Sequence, residues 1–211
     1  MYEALFDTDE LETGQPAVER RSVDGALLTN YLERPSPWAR IIRWGVGLLL
    51  LAAIAQEGLG VYYDRQLTAV AREVTGQDDL KVNCRRVWDE LLFIKANPGF
   101  VEWGSDTANL QFPVCMDALR YRDDPNDESA RLGVMILTHE MAHLAGHRNE
   151  SATECVAMWA LPKTAVALGR STTEGELAAN WYAREYNPHL RGDYQAPGCL
   201  SGPAPASQLL R

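Results

Sequence analysis

Thr138-His139-Glu140-Met141-Ala142-His143-Leu144 places two imidazoles four residues apart, with a carboxylate directly after the first. On a helix that spacing sets both rings on one face, one turn apart, where they can bind a single zinc ion while Glu140 reaches a water on it. The flanks favour a helix. Arg131 to Leu137 is strongly apolar, as suits a helix in a domain core, and Asp124-Pro125 upstream is a start signal. Gly146, three residues after His143, can end the helix in a left-handed conformation and turn the chain back towards the metal.

A third protein ligand is then required, and His147-Arg148-Asn149-Glu150-Ser151-Ala152-Thr153-Glu154-Cys155 offers several. Here the chain resembles the zincin metallopeptidases, in a mixture of two patterns. Up to the glycine it looks like the metzincin run HExxHxxGxxH, except that Asn149, a poor zinc ligand, stands where that family has its third histidine. No methionine lies beyond Met158 to supply the metzincin methionine turn. Glu150 and Glu154, four apart on a second helix capped by Asn149 or Ser151, resemble the gluzincin arrangement, though with a shorter connection to the second histidine. That resemblance implies Glu150 as third ligand and Glu154 as the residue that orients a ligand histidine through its other ring nitrogen. Glu154 and then His147 are the alternative ligands. The run HLAGHRNESATEC is also similar to that of short, uncharacterised membrane-associated bacterial proteins.

The resemblance implies a Zn2+ cofactor, a peptide or protein substrate, and hydrolysis of the peptide bond with Glu140 as general base. His147, Tyr182, Tyr186 and His189 are the candidate donors to a developing oxyanion. The competing class is a non-catalytic extracytoplasmic module that uses zinc to hold its fold, or a degenerate peptidase that binds without cleaving. A structural site needs no general base, so Glu140 favours catalysis.

A second feature is Trp44 to Ala55, an uncharged apolar run of twelve residues behind Arg34, Arg40 and Arg43. Its length suits the hydrophobic region of a signal sequence, and Ala53-Ile54-Ala55 resembles a cleavage site. Uncleaved, the segment 38–63 is a signal-anchor or transmembrane helix, with the arginines holding the N-terminus in the cytoplasm. Either outcome exports the zinc motif, leaving it membrane-anchored or secreted after cleavage near Ala55. A buried core helix is the remaining alternative. Residues 1–37, with eight acidic and three basic side chains, read as a disordered tail.

The net charge of −9 argues against a nucleic-acid partner. A chain of 211 residues can bury one domain-sized core, expected over 64–197, with an irregular tail over 198–211. The predicted class is α+β and mainly helical, a zincin-like domain with a small sheet. Asp64 to Val74 and Asp78 to Lys95 have helical spacing, and Phe100 to Trp103 and Leu110 to Cys115 read as strands, with Pro113 pushing the second to an edge. By analogy with zincins, that edge strand is a candidate substrate platform. Helices are expected from Glu150 to Leu168 and from Glu174 to Tyr186, the latter opened by the box Thr173-x-x-Glu176.

Cys84, Cys115, Cys155 and Cys199 all follow the apolar run. In an exported domain they form two disulfides, with three possible connectivities. Cys84 with Cys115 is favoured as a link from a helix to the neighbouring edge strand, and Cys155 with Cys199 as a tie from the tail to the metal-site helix. Zinc ligation by cysteine is the runner-up, and four buried thiols the reading for a cytosolic chain.

Overall fold

The computed structural model describes residues 36–86 and 97–201. They form a mainly helical structure with one small sheet. The chain divides into two units, residues 1–49 and 50–211. In the first, the described residues belong to the start of a long helix, α1 (Pro37–Thr75). The second contains the rest of that helix, followed by β1 (Lys81–Arg85), β2 (Gly99–Val101), β3 (Thr107–Gln111), α2 (Phe112–Arg120), α3 (Glu128–Leu144), α4 (Glu150–Ala167) and α5 (Thr172–Trp181). A π-helical turn, Tyr182–Tyr186, and three single 3-10 turns complete it.

By length and composition α1 is able to cross a membrane. Leu48 to Leu51 and Ile54 are 60–71% exposed, which excludes the buried core-helix alternative. Beyond them the character of α1 changes. Leu67, Val70, Ala71 and Val74 are buried at the helical spacing expected of one core-facing stripe.

The sheet has the order β1-β3-β2, with β1 parallel and β2 antiparallel to β3. Its two edges are treated differently. Asp64, Thr68 and Arg72, one turn apart along α1, bond alternate backbone positions in β1 and just before it: Asp64 accepts from the Cys84 amide at 2.7 Å, Thr68 from the Val82 amide at 2.9 Å, and Arg72 donates to the Leu80 carbonyl at 2.9 Å. Helical side chains thereby satisfy backbone groups that would otherwise leave this edge open to another strand. Arg86 reaches back to Asp64 at 3.0 Å and holds the acceptor in place.

Several sequence expectations are overturned here. Lys81–Arg85, expected within a helix, is a strand whose Val82 and Cys84 point inward, while 87–96 lies outside the described residues, as does the tail over 1–35. The second strand is Thr107–Gln111, and it is central. Pro113 starts α2 instead of marking an edge, because the first turn of a helix needs no amide hydrogen there. The edge strands are β1 and β2. Both favoured disulfides are present, Cys84 with Cys115 and Cys155 with Cys199. The first joins an edge strand to a helix with the roles exchanged, Cys84 lying on β1 and Cys115 on α2, and the pairing leaves no cysteine for a metal. The capping box of α5 lies two residues earlier than expected, between Ser171 and Glu174. Asp127, not Asp124-Pro125, caps α3 by accepting from the Ala130 amide.

The α1 to β1 ladder carries a prediction. Asp64→Ala should cost about 1–3 kcal/mol, since it leaves the Cys84 amide without its acceptor and removes one of the carboxylates that pair with Arg86. Denaturant titration checks this, and an unchanged midpoint would remove the ladder from the account of the fold.

Candidate metal centre

The site is built by two helices and the turn between them. α3 ends on Ala145 and Gly146, whose φ of +98° suits glycine and permits two closing bonds, from the Gly146 amide to the His143 carbonyl and from the His147 amide to the Ala142 carbonyl. Asn149 then caps α4 by accepting from the Ala152 amide at 2.9 Å. The connection is thus fixed at both ends. Glu150, in the first position of α4, is brought beneath the histidine face of α3.

There Glu150 Oε2 stands 3.1 Å from His139 Nε2 and 3.2 Å from His143 Nε2. The three residues form a group able to hold a metal ion, with donor atoms within 4.8 Å of one another. His143 Nδ1 lies 2.7 Å from the His147 carbonyl, an acceptor only, so Nδ1 carries the proton and donates. A neutral ring then turns the Nε2 lone pair towards a carboxylate oxygen. Two acceptors at that distance need a cation between them or a further proton. Zinc suits the spacing: donors about 2.0–2.1 Å from a tetrahedral centre stand roughly 3.3 Å apart.

The other expected residues surround this group. Glu154, one turn after Glu150, has Oε1 3.5 Å from His139 Nδ1, the nitrogen facing away from Glu150, and accepts from the Tyr182 hydroxyl at 3.2 Å. Glu140 is 5% exposed and its Oε2 has no hydrogen-bond partner. Burial, with Glu150 and Glu154 adding repulsion, pushes the Glu140 carboxyl up to about 8. Burial likewise pushes Glu154 up to about 7, against the Tyr182 hydrogen bond. Glu150 goes the other way, held below the usual carboxylate range chiefly by its hydrogen bond to His139. Burial lowers His139. Of the remaining candidates, Tyr182 and Tyr186 line the cleft, whereas His147 contributes its carbonyl and neither its side chain nor His189 lines it.

The cleft encloses about 400 Å³ between α3, β2, the π turn and the segment through Tyr194. Its β2 wall is close: a Cβ on Gly99 would meet Glu140 Oε1 at 2.7 Å and Leu110 Cδ2 at 2.9 Å, so only glycine lets this strand approach the carboxylate. Sequence reasoning missed Trp103, whose ring meets His143 edge-on at 5.9 Å, and Tyr194, whose ring lies 6.1 Å from that of His139. No spacing tied either residue to the motif. Met135 is in the core as expected, with Leu132 and Ile136 packed against it, and all three also line the cleft, because offsets of four, seven and three from His139 set them on the histidine face.

Comparisons with family models, curated proteins and solved structures find no match for this chain.

The geometry separates the two glutamates of α4. Glu150→Ala should abolish stoichiometric zinc binding, while Glu154→Ala, which only frees the His139 ring, should weaken it by about 10–100-fold. Competition titration with a chromogenic chelator measures both, and the reverse order would transfer the ligand role to Glu154.

Proposed function

We propose that the chain is a zinc-dependent peptidase with a zincin-like domain, tethered to a membrane through α1 with that domain on the extracytoplasmic side. The observation that carries the reading is Glu140, a buried carboxylate with an unpartnered oxygen beside three converging donors. A zinc ion held by His139, His143 and Glu150 supplies Lewis acidity, which lowers the pKa of a water and polarises a scissile carbonyl. With a cation beside it to offset the burial and repulsion that raise its carboxyl, Glu140 would be the base that takes the proton of the attacking water at its free oxygen and gives it to the leaving amine. The His147 carbonyl holds the His143 imidazole through its Nδ1, and Glu154, 3.5 Å from the otherwise unpartnered His139 Nδ1, would orient the other ring. Tyr194 is a further proton donor at the cleft. Burial and then the nearby glutamates raise its phenol, so it keeps its proton.

A second reading is favoured by one specific feature. Glu150 contacts both rings and so would link α3 to α4 through a shared ion, which is what a zinc-stabilised binding module would also need. Glu140 discriminates, since such a module has no use for a buried base.

Glu140→Gln should keep one equivalent of zinc and lose peptide hydrolysis by about 10²-fold or more, the scale of a general base. Peptide-library cleavage with zinc analysis on the same preparation tests this, and equal activity in variant and wild type would overturn the peptidase reading.

The location rests on the exposed apolar face of α1, on Arg40 and Arg43 near its start, and on disulfides confined to the chain beyond it. In intact cells all four cysteines should resist alkylation until reductant is added, and external protease should reach the domain. Four freely alkylated thiols with full protection from protease would place the domain in the cytosol.

A further inference from the structure

The cleft is lined in part by apolar side chains that zinc chemistry does not use. Leu132 and Ile136 sit on the histidine face of α3, two turns and one turn ahead of His139, and Tyr186 of the π turn and Leu190 just beyond it line the same cleft. The π turn is anchored from both sides. Arg131 of α3 lies over the Trp181 ring at 5.5 Å, and the Tyr182 ring stacks on Tyr186 at 5.3 Å while its hydroxyl is spent on Glu154. Leu190 is held by its own carbonyl, which accepts from the Gln195 side chain at 2.6 Å. This wall is therefore preset and apolar.

Charge supports the same occupant. Among the described residues no lysine or arginine lines the cleft, whereas Glu140, Glu150 and Glu154 do. An acidic side chain entering it would meet those carboxylates, and a basic one would have to leave water for an apolar wall. A large neutral side chain loses nothing and buries apolar area.

We infer that the pocket between Leu132, Ile136, Tyr186 and Leu190 binds a large apolar side chain, leucine- or phenylalanine-like, of a peptide substrate whose scissile bond lies at the His139–His143–Glu150 centre. This rests on the peptidase reading for its substrate, but the pocket itself is testable without turnover. Tyr186 and Leu190 set its width, and neither touches the metal donors.

The test uses the full-length Glu140→Gln protein, zinc-loaded in detergent, and acylated hexapeptides that differ at one position as Leu, Phe, Asp or Lys. Binding is read by calorimetry, and wild-type cleavage of the same set is read by mass spectrometry. Leu and Phe peptides should bind about tenfold or more tighter than the Asp peptide, the scale on which an apolar pocket discriminates. In that background Tyr186→Ala should weaken the Phe peptide, and Leu190→Arg should remove the preference and improve binding of the Asp peptide. Equal binding of all four peptides, or a preference unmoved by both substitutions, would overturn the pocket. Selective binding without wild-type cleavage would keep the pocket and remove the peptidase. Cleavage without side-chain preference would do the opposite.

Discussion

A single carboxylate oxygen facing two imidazole nitrogens across a helix junction is the constraint on which the rest of this site depends. Glu150 belongs to a different helix from His139 and His143, and it meets them only because the turn from Ala145 to Asn149 is fixed at both ends. At one end a left-handed glycine closes α3, and at the other an asparagine side chain opens α4. Each device satisfies backbone groups that a helix end leaves unpaired, so geometry at the metal donors follows from ordinary helix termination. Substituting Gly146 would strain the turn before it touched any ligand.

Around that junction the fold spends polar burial where chemistry can use it. Thr138, His139, Glu140, His143 and Glu154 are all buried, in a helix pair otherwise filled with aliphatic side chains. Unpartnered oxygens on Glu140 and Glu154 are costly in a packed interior, and such groups persist where a cation or a substrate completes them. Supporting structure is correspondingly stiff. The disulfide from Cys155 fastens the C-terminal segment to α4, five residues past Glu150, and Trp159 of the same helix donates to the Cys199 carbonyl at 3.0 Å. Asn187 binds both the Tyr194 carbonyl and the Ala196 amide, which keeps the segment carrying Leu190 and Tyr194 against the cleft.

Much of the centre was legible because helical periodicity is a local property. Four-residue spacing announced the histidine face, a glycine announced the end of α3, and an asparagine announced the start of α4. The disulfide partners were also readable, although for the first pair the strand and helix were assigned to the opposite cysteines. Other elements were decided by tertiary context. Lys81–Arg85 shows strand alternation for only a few residues beside Leu80, Val87, Leu91 and Leu92, whose spacing imitates a helix face, and its partner β3 lies over twenty residues away. Pro113 fits an edge strand or a first helical turn equally well on sequence grounds. The π turn and the placement of Tyr194 depend on packing against α3 and α4, and nothing in the spacing of Tyr182, Tyr186 and Tyr194 revealed them.

X-ray absorption at the zinc edge of the zinc-loaded full-length protein tests most directly whether these three residues hold one metal. The account predicts one zinc per chain with two imidazole nitrogens, one carboxylate oxygen and one exchangeable water-type oxygen at about 2.0–2.2 Å, and no sulfur. Sulfur scattering near 2.3 Å, a six-oxygen shell, or failure to retain zinc at stoichiometric loading would contradict it.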